Sequence, residues 1–379
     1  MLPSQSSRCL FLLLIFTTFT PVLAQKPQPS PSPTPPDEQE AVRVFTEEVR
    51  LPVVALDQYG HYDPTLEADD ILVLEDGIAQ QIRSVRHIPA NVVLVLDTGG
   101  ELTGLGGMSK RTGLTRDVAV EVVKQVPQGT SISLMQFSNS VELLQRWTQD
   151  KEVILKTLKT KLSSGKRARF SDAVVAAARL LSDRPEGSRH VVFITDGVDT
   201  PGGKTDRAEA IKQLAATRAT VHIISYTEFV RQKKEGRPSN ISGGQRPAAS
   251  DPITATDPTL PPGTTRSPSF GVSIRFDPEM KRQRKVYEGD LKRSQQVLTT
   301  MAEDMGGQIF LPKTTEEMIA QGREAARDIG AEYVVTYRPK RPLASSKRGE
   351  YREVEVASRR VGLHLRSRHG YVVPVQRDD

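Results

Sequence analysis

The chain has 379 residues, 52 Lys+Arg against 46 Asp+Glu, a formal charge of +6 and one cysteine. That length holds more than one domain. The mild positive balance comes from local clusters and does not describe a nucleic-acid-binding face. With Cys9 inside a segment that is read below as removable, disulfide, zinc–thiolate and cysteine-nucleophile chemistry are excluded from the mature protein.

Residues 1–24 have the form of a secretory signal. Arg8 supplies positive charge, Leu10 to Phe19 an apolar core, and Val22-Leu23-Ala24 the cleavage positions. The core is shorter than the ~20 apolar residues a spanning helix needs. The expectation is cleavage near Ala24, a secreted or periplasmic protein, and no transmembrane segment in the mature chain. Residues 25–40 are rich in proline and serine and predict an extended, disordered linker. In residues 41–90, short apolar runs such as Val49 to Leu56 and Ile71 to Leu74 alternate with turns such as Asp57-Gln58-Tyr59-Gly60, which predicts a β segment.

Residues 91–330 alternate strand and helix. Val92-Val93-Leu94-Val95-Leu96 is a continuous apolar run that ends in Asp97 and breaks into Thr98-Gly99-Gly100-Glu101. Such a run reads as a parallel strand buried on both faces. His190 to Thr195 repeats the form and delivers Asp196, with Asp199 close behind. Predicted helices cover Lys110–Val126, Lys151–Leu162, Ser171–Leu181, Asp206–Arg218, Ser294–Met305 and Glu316–Ile329, and further strands cover Ser131–Phe137, Val141–Trp147, Thr220–Tyr226 and Gln308–Leu311. The fold class is α/β, a doubly wound, mostly parallel Rossmann-like sheet. Residues 229–293 lack periodicity and predict a long, largely irregular insertion that includes the basic runs Arg231 to Lys234 and Lys281 to Lys285. Residues 331–375 return to strands (Glu332–Tyr337, Glu350–Ala357, Gly362–Val373). These are the natural partners of 41–90, so a β-sandwich built from both ends should flank the α/β domain.

Two acids at the carboxyl ends of buried strands resemble the von Willebrand factor A-type domain. The flanks resemble its bacterial branch, the VWFA-related acidobacterial proteins, through Leu74-Glu75-Asp76-Gly77, Gln81-Ile82, Tyr333 to Pro339 and Arg368-His369-Gly370-Tyr371. The resemblance implies a metal-ion-dependent adhesion site. In that site two aspartates, two serines and a threonine hold Mg²⁺, Mn²⁺ or Ca²⁺, and a partner's carboxylate completes the coordination. Carried over, the aspartates are Asp97 and Asp196, the serine positions are Gly99 and Glu101, and the threonine position is Ala168. All three hydroxyls are missing, and Lys166-Arg167-Ala168-Arg169 stands where a small turn is usual.

Two readings follow. In the first, no cofactor is held and an arginine of the 166–169 loop neutralises Asp97, Glu101, Asp196 and Asp199. In the second, a remodelled cation site (Mg²⁺, Ca²⁺ or Mn²⁺) uses Asp97, Glu101 and Asp196. Either way the resemblance implies a non-enzymatic protein that binds a protein partner or a cell-envelope component. The partner-binding edge comprises Asp97, Gly99, Gly100, Glu101, Lys166, Arg167, Arg169, Asp196 and Asp199. The alternatives are a structural envelope protein and a hydrolase with its site elsewhere. Gly104 and Gly106 lack the third glycine of a dinucleotide loop, and Gly99 stands where an aspartyl phosphotransferase would need its second aspartate.

Overall fold

The computed structural model of the protein describes residues 48–99, 108–235, 278–347 and 349–373. The expected leader and linker, the Val42–Phe45 run, Gly100, Glu101 and residues 236–277 lie outside them. The chain enters through β1 (Val49–Leu56), β2 (Ile71–Glu75), β3 (Ile78–Ala79) and β4 (Gln81–His87). It then builds β5 (Asn91–Asp97), α1 (Met108–Gln125), β6 (Ser131–Phe137), β7 (Val141–Thr148), α2 (Lys151–Thr160), α3 (Phe170–Ser182), β8 (Arg189–Thr195), α4 (Arg207–Ala216) and β9 (Thr220–Ser225). Next come α5 (Thr227–Glu235), α6 (Pro278–Asp304), β10 (Ile309–Phe310) and α7 (Thr315–Gly330). It leaves through β11 (Glu332–Arg338), β12 (Tyr351–Ser358), β13 (His364–Ser367) and β14 (Gly370–Val372).

The middle of the chain forms one sheet in the order β10-β9-β8-β5-β6-β7. All its pairs are parallel except β6–β7, a hairpin. Side chains along β5 alternate between two faces that are both buried. Val92, Leu94 and Leu96 pack with Val118 and Val122 of α1 and Met318 and Ile329 of α7, whereas Val93 and Val95 pack with Phe170, Val174 and Leu181 of α3. Each such side chain contributes roughly 1.5–3 kcal/mol of burial, which is why the five positions Val92 to Leu96 are all apolar. Asp150, Asp206 and Thr314 cap α2, α4 and α7 by accepting backbone N–H bonds.

Both ends of the chain meet in two four-stranded sheets, β13-β1-β11-β4 and β14-β12-β2-β3. β1 pairs antiparallel with β11 from Val49↔Tyr337 to Val54↔Glu332, and β12 pairs antiparallel with β2. The sheets share one core that includes Leu51, Val53, Ile71, Val73, Val335, Tyr337 and Val354. The fold is therefore the α/β sheet with a flanking sandwich that the pattern implied.

Two expectations are corrected. The described ends of the supposed irregular insertion are helical: α5 runs to Glu235, and α6 starts at Pro278, so Lys281–Lys285 lies on a helix. Its first turns carry bases rather than an apolar stripe, so periodicity did not reveal it. The single strand expected at Gly362–Val373 is two, β13 on β1 and β14 on β12, because the chain crosses from one sheet of the sandwich to the other at Arg368 and His369.

An ion pair sits inside the sandwich. Arg352 is fully buried, and its Nη1 lies 2.6 Å from Glu75 Oε1. The hydroxyls of Tyr337 and Tyr371 donate to Glu75 Oε2 at 2.7 and 3.0 Å. Arg352 also donates to the carbonyls of Arg341 and Pro342 and to the Ser346 hydroxyl. Removing one partner of such a pair leaves a buried charge unmatched. Arg352→Met should therefore cost about 3–5 kcal/mol in urea unfolding. Adding Glu75→Gln should restore a large part, and strictly additive losses would refute the pairing account.

Candidate functional site at the carboxyl edge of the sheet

β5 and β8 are adjacent and parallel, so Asp97 and Asp196 emerge side by side where the helices stop covering the sheet. Both are buried, at 3% and 4% exposure. Asp97 Oδ1 accepts the Gly99 N–H at 3.1 Å, and Oδ2 accepts the Thr195 hydroxyl at 2.7 Å. The Thr195 oxygen in turn accepts the Gly197 N–H at 2.9 Å, and Tyr226 supplies a further side-chain bond to Asp97. Asp196 accepts the Val198 N–H at 3.0 Å and the Tyr287 hydroxyl at 3.2 Å, while Ser294 donates to its carbonyl at 2.6 Å. Tyr287 and Ser294 belong to α6, so this long helix lies against the Asp196 side of the edge. Gly197 permits that approach: its φ is +66°, and a Cβ there would meet Ser294 Oγ at 2.6 Å.

The electrostatics follow from this burial. Asp97 is pushed up to about 7, first by loss of water and then by the neighbouring Asp196 charge, against the opposing bonds from Thr195, Tyr226 and Gly99. The folded protein therefore keeps the Asp97 proton to near neutrality.

The second wall of the site is the 165–169 loop. Gly99 packs so closely on it that a Cβ would lie 1.9 Å from the Arg167 carbonyl oxygen. Gly165 N–H donates to Thr98 O at 3.0 Å. Ala168 N–H donates to the Thr200 hydroxyl, and Thr200 N–H donates back to Ala168 O, both at 2.9 Å. The rim is thus one hydrogen-bonded frame made of the turns after β5 and β8 and the loop before α3.

The expected arginine–carboxylate cluster is not what the frame contains. Arg169 is buried and donates to the carbonyls of Thr200 and Pro201 at 3.1 and 3.2 Å. Its backbone precedes a helix, and its guanidinium holds the 200–201 turn rather than Asp97. Asp199 accepts the N–H groups of Phe170 and Ser171 at 3.1 and 3.0 Å and the Ser171 hydroxyl, so it serves the N-terminus of α3. Lys166 and Arg167 point to solvent. Of the residues assigned to the edge, Asp97, Gly99, Asp196 and the 166–169 loop are brought together, and Asp199 joins through the helix cap. Gly100 and Glu101 lie outside the described residues.

Thr195, Tyr226, Tyr287 and Ser294 were missed. Thr195 could have been noticed as a polar residue closing a buried strand. No local signal links Tyr287 to Asp196, which is far away in sequence.

The described residues do not fit the hydroxyl-rich donor set of an adhesion-site cation. Position 99 has no room for a side chain, Ala168 has no hydroxyl, and the Asp97 oxygens already accept from Gly99 and Thr195. Among the described residues no group of three or more His, Cys, Asp or Glu gathers with metal-holding geometry.

Residues 92–198 match the family model described as von Willebrand factor type A domain. No curated protein matches the chain significantly. Among solved structures, the chain is similar to a von Willebrand factor type A protein from Catenulispora acidiphila, at 10% identity and TM-score 0.42, covering 82% of this chain and 75% of that one. It is also similar to an aerotolerance-related membrane protein from Bacteroides fragilis, at 14% identity and TM-score 0.38, covering 63% and 98%. A third is the manganese-loaded TRAP protein of Plasmodium vivax, at 17% identity and TM-score 0.31, covering 41% and 68%.

Two substitutions probe the frame. Gly99→Ser must displace the Arg167 carbonyl and should cost about 1–3 kcal/mol; an unchanged melting temperature would show that the contact is not tight. Asp97→Asn removes a carboxyl whose proton the unfolded chain releases near 3.8 and the folded protein near 7. Wild-type stability therefore falls as pH rises between those values and is lowest above them. The melting-temperature gain of Asp97→Asn over wild type should be larger at pH 8 than at pH 5, and an equal difference at both would remove the titration argument.

Proposed function

The chain carries a von Willebrand factor type A domain at residues 92–198, and on that footing we propose an exported, non-enzymatic module that binds a protein partner or cell-envelope component at the carboxyl edge of its six-stranded sheet, without a cation. The supporting observation is the contact of Gly99 on the Arg167 carbonyl. It closes the position from which the family's first serine would reach an ion, and it fixes the basic loop above the acids. Asp97 and Asp196 then act from within by anchoring turns, while Lys166 and Arg167 present charge outward. Loops held by a rigid sheet are how many binding surfaces are built. A partner with an acidic patch complements this rim, reversing the arrangement in which a partner's carboxylate meets a metal.

Two measurements test the reading. Isothermal titration with Mg²⁺, Mn²⁺ and Ca²⁺ should give no binding heat up to millimolar ion; micromolar binding abolished by Asp97→Ala would overturn the cation-free site. Lys166→Glu with Arg167→Glu, which leaves the buried Arg169 in place, should reduce partner recovery from envelope extract at least tenfold relative to wild type. Unchanged recovery would move the binding surface elsewhere.

A further inference from the structure

A groove with a cavity volume of about 480 Å³ lies between α4 and α6 of the α/β domain and β12 and β14 of the sandwich. That is the size of a small-molecule site, which typically measures about 300–1,000 Å³. Its walls are largely apolar, formed by Ala219, Val297, Met301, Met305 and the Tyr371 ring, and two arginines, Arg218 and Arg368, also line it. Both are at least nine-tenths buried. Arg368 Nη2 donates to the Arg218 carbonyl at 2.5 Å, and the Arg218 guanidinium lies 5.1 Å from the Tyr371 ring centroid.

These two positive charges are under-compensated. Arg218 pairs with Glu186 at 3.0 Å, but Arg368 has no carboxylate within ion-pair distance among the described residues. Arg218 Nη2 and Arg368 Nε make no hydrogen bond. Arg368 is pushed down to about 10, first by burial and then by the Arg218 charge. Glu332, whose charge would favour the Arg368 cation, is itself pushed up to about 8, first by burial. Asp304 at the mouth faces His369 at 3.8 Å.

The backbone adds an independent observation. Arg218 has φ +56°, one of two non-glycine residues with positive φ among the described residues. It follows the end of α4, where glycine normally takes the left-handed conformation. An arginine at this position, buried and half-paired, carries a backbone cost that glycine would not.

We infer that this groove binds an amphipathic anion, a free small molecule with a carboxylate or phosphate head placed at Arg218 and Arg368 and an apolar body along α6. Paired guanidiniums suit both oxyanion heads, and the apolar walls supply the rest of the affinity. The site is separate from the carboxyl edge, so it stands whether or not the proposed partner binding holds.

Calorimetric titration of the full-length protein with decanoate and decyl phosphate, below their micellar concentrations, tests it. At least one should bind, with decanol and acetate at least tenfold weaker. Arg218→Gly removes one guanidinium at a position where glycine relieves backbone strain, so the variant should fold normally and bind at least tenfold more weakly. Val297→Trp, which fills the groove from the half-exposed face of α6, should weaken binding similarly. The inference is overturned if neither anion binds at millimolar concentration, if decanol binds as tightly as the anions, if both variants bind like wild type, or if only anionic phospholipid vesicles are bound.

Discussion

The location of the candidate site follows from a packing constraint. β5 and β8 are covered on both faces, so their backbone groups must be satisfied by strand pairing and their side chains must be apolar for as long as the helices cover them. At the carboxyl ends of the apolar runs Val92–Leu96 and Val191–Ile194, the first residues able to carry charge are Asp97 and Asp196. Parallel pairing then puts them next to each other. Their proximity is a consequence of the sheet, and every other feature of the edge answers it. Hydroxyls from Thr195 and Tyr287 and N–H groups from Gly99 and Val198 take up the carboxyl oxygens, and a proton stays on Asp97 close to neutral pH.

This answer differs from the one that charge alone suggested. A basic loop beside clustered acids invites ion pairing, yet in this chain the buried Arg169 serves backbone carbonyls and Asp199 serves a helix end. Among the described residues, these hydroxyl and N–H donors to Asp97 and Asp196 carry no net charge, and Lys166 and Arg167 are exposed at the surface. In the sandwich the opposite solution is used, with Glu75 and Arg352 paired directly in the core. The difference is consistent with geometry: β2 and β12 are paired neighbours that place the two side chains in reach, whereas no cation is held opposite Asp97 by the strands beside it.

Much of the architecture was legible in the chain. The apolar runs that end in Asp97 and Asp196 marked the central strands because full burial leaves no room for alternation. Strand-like segments at both ends had no partners of their own and so pointed to each other. Three things were not legible, each for a physical reason. The first turns of α6 carry Lys281 to Lys285, and a run of bases has no apolar period to detect. The closeness of Gly99 to Arg167 is a contact between two loops, and a glycine in sequence says only that the backbone is free. The Tyr287–Asp196 bond joins residues on separate elements, and nothing near either one announces the other.

The way the chain leaves and re-enters the sandwich has a kinetic consequence. His87, at the end of β4, bonds the Gly330 carbonyl at 2.9 Å and pairs in register with Tyr333, so the whole α/β domain departs from and returns to one point. The sandwich joins residues such as Val49 and Tyr337, a contact of very high sequence separation whose loop must close before it is rewarded. The α/β domain is built from local strand–helix–strand units and can form first, and in doing so it brings the two tethers together. β1 emerges early and apolar with no neighbouring strand to pair with, β2 has only the two-residue β3, and both must wait until β11 and β12 arrive. For that interval they are open strand edges of the kind that drive misassembly. The folded α/β domain therefore acts as the clasp that shortens the interval, and mutations that slow its folding should raise aggregation through strands it does not contain.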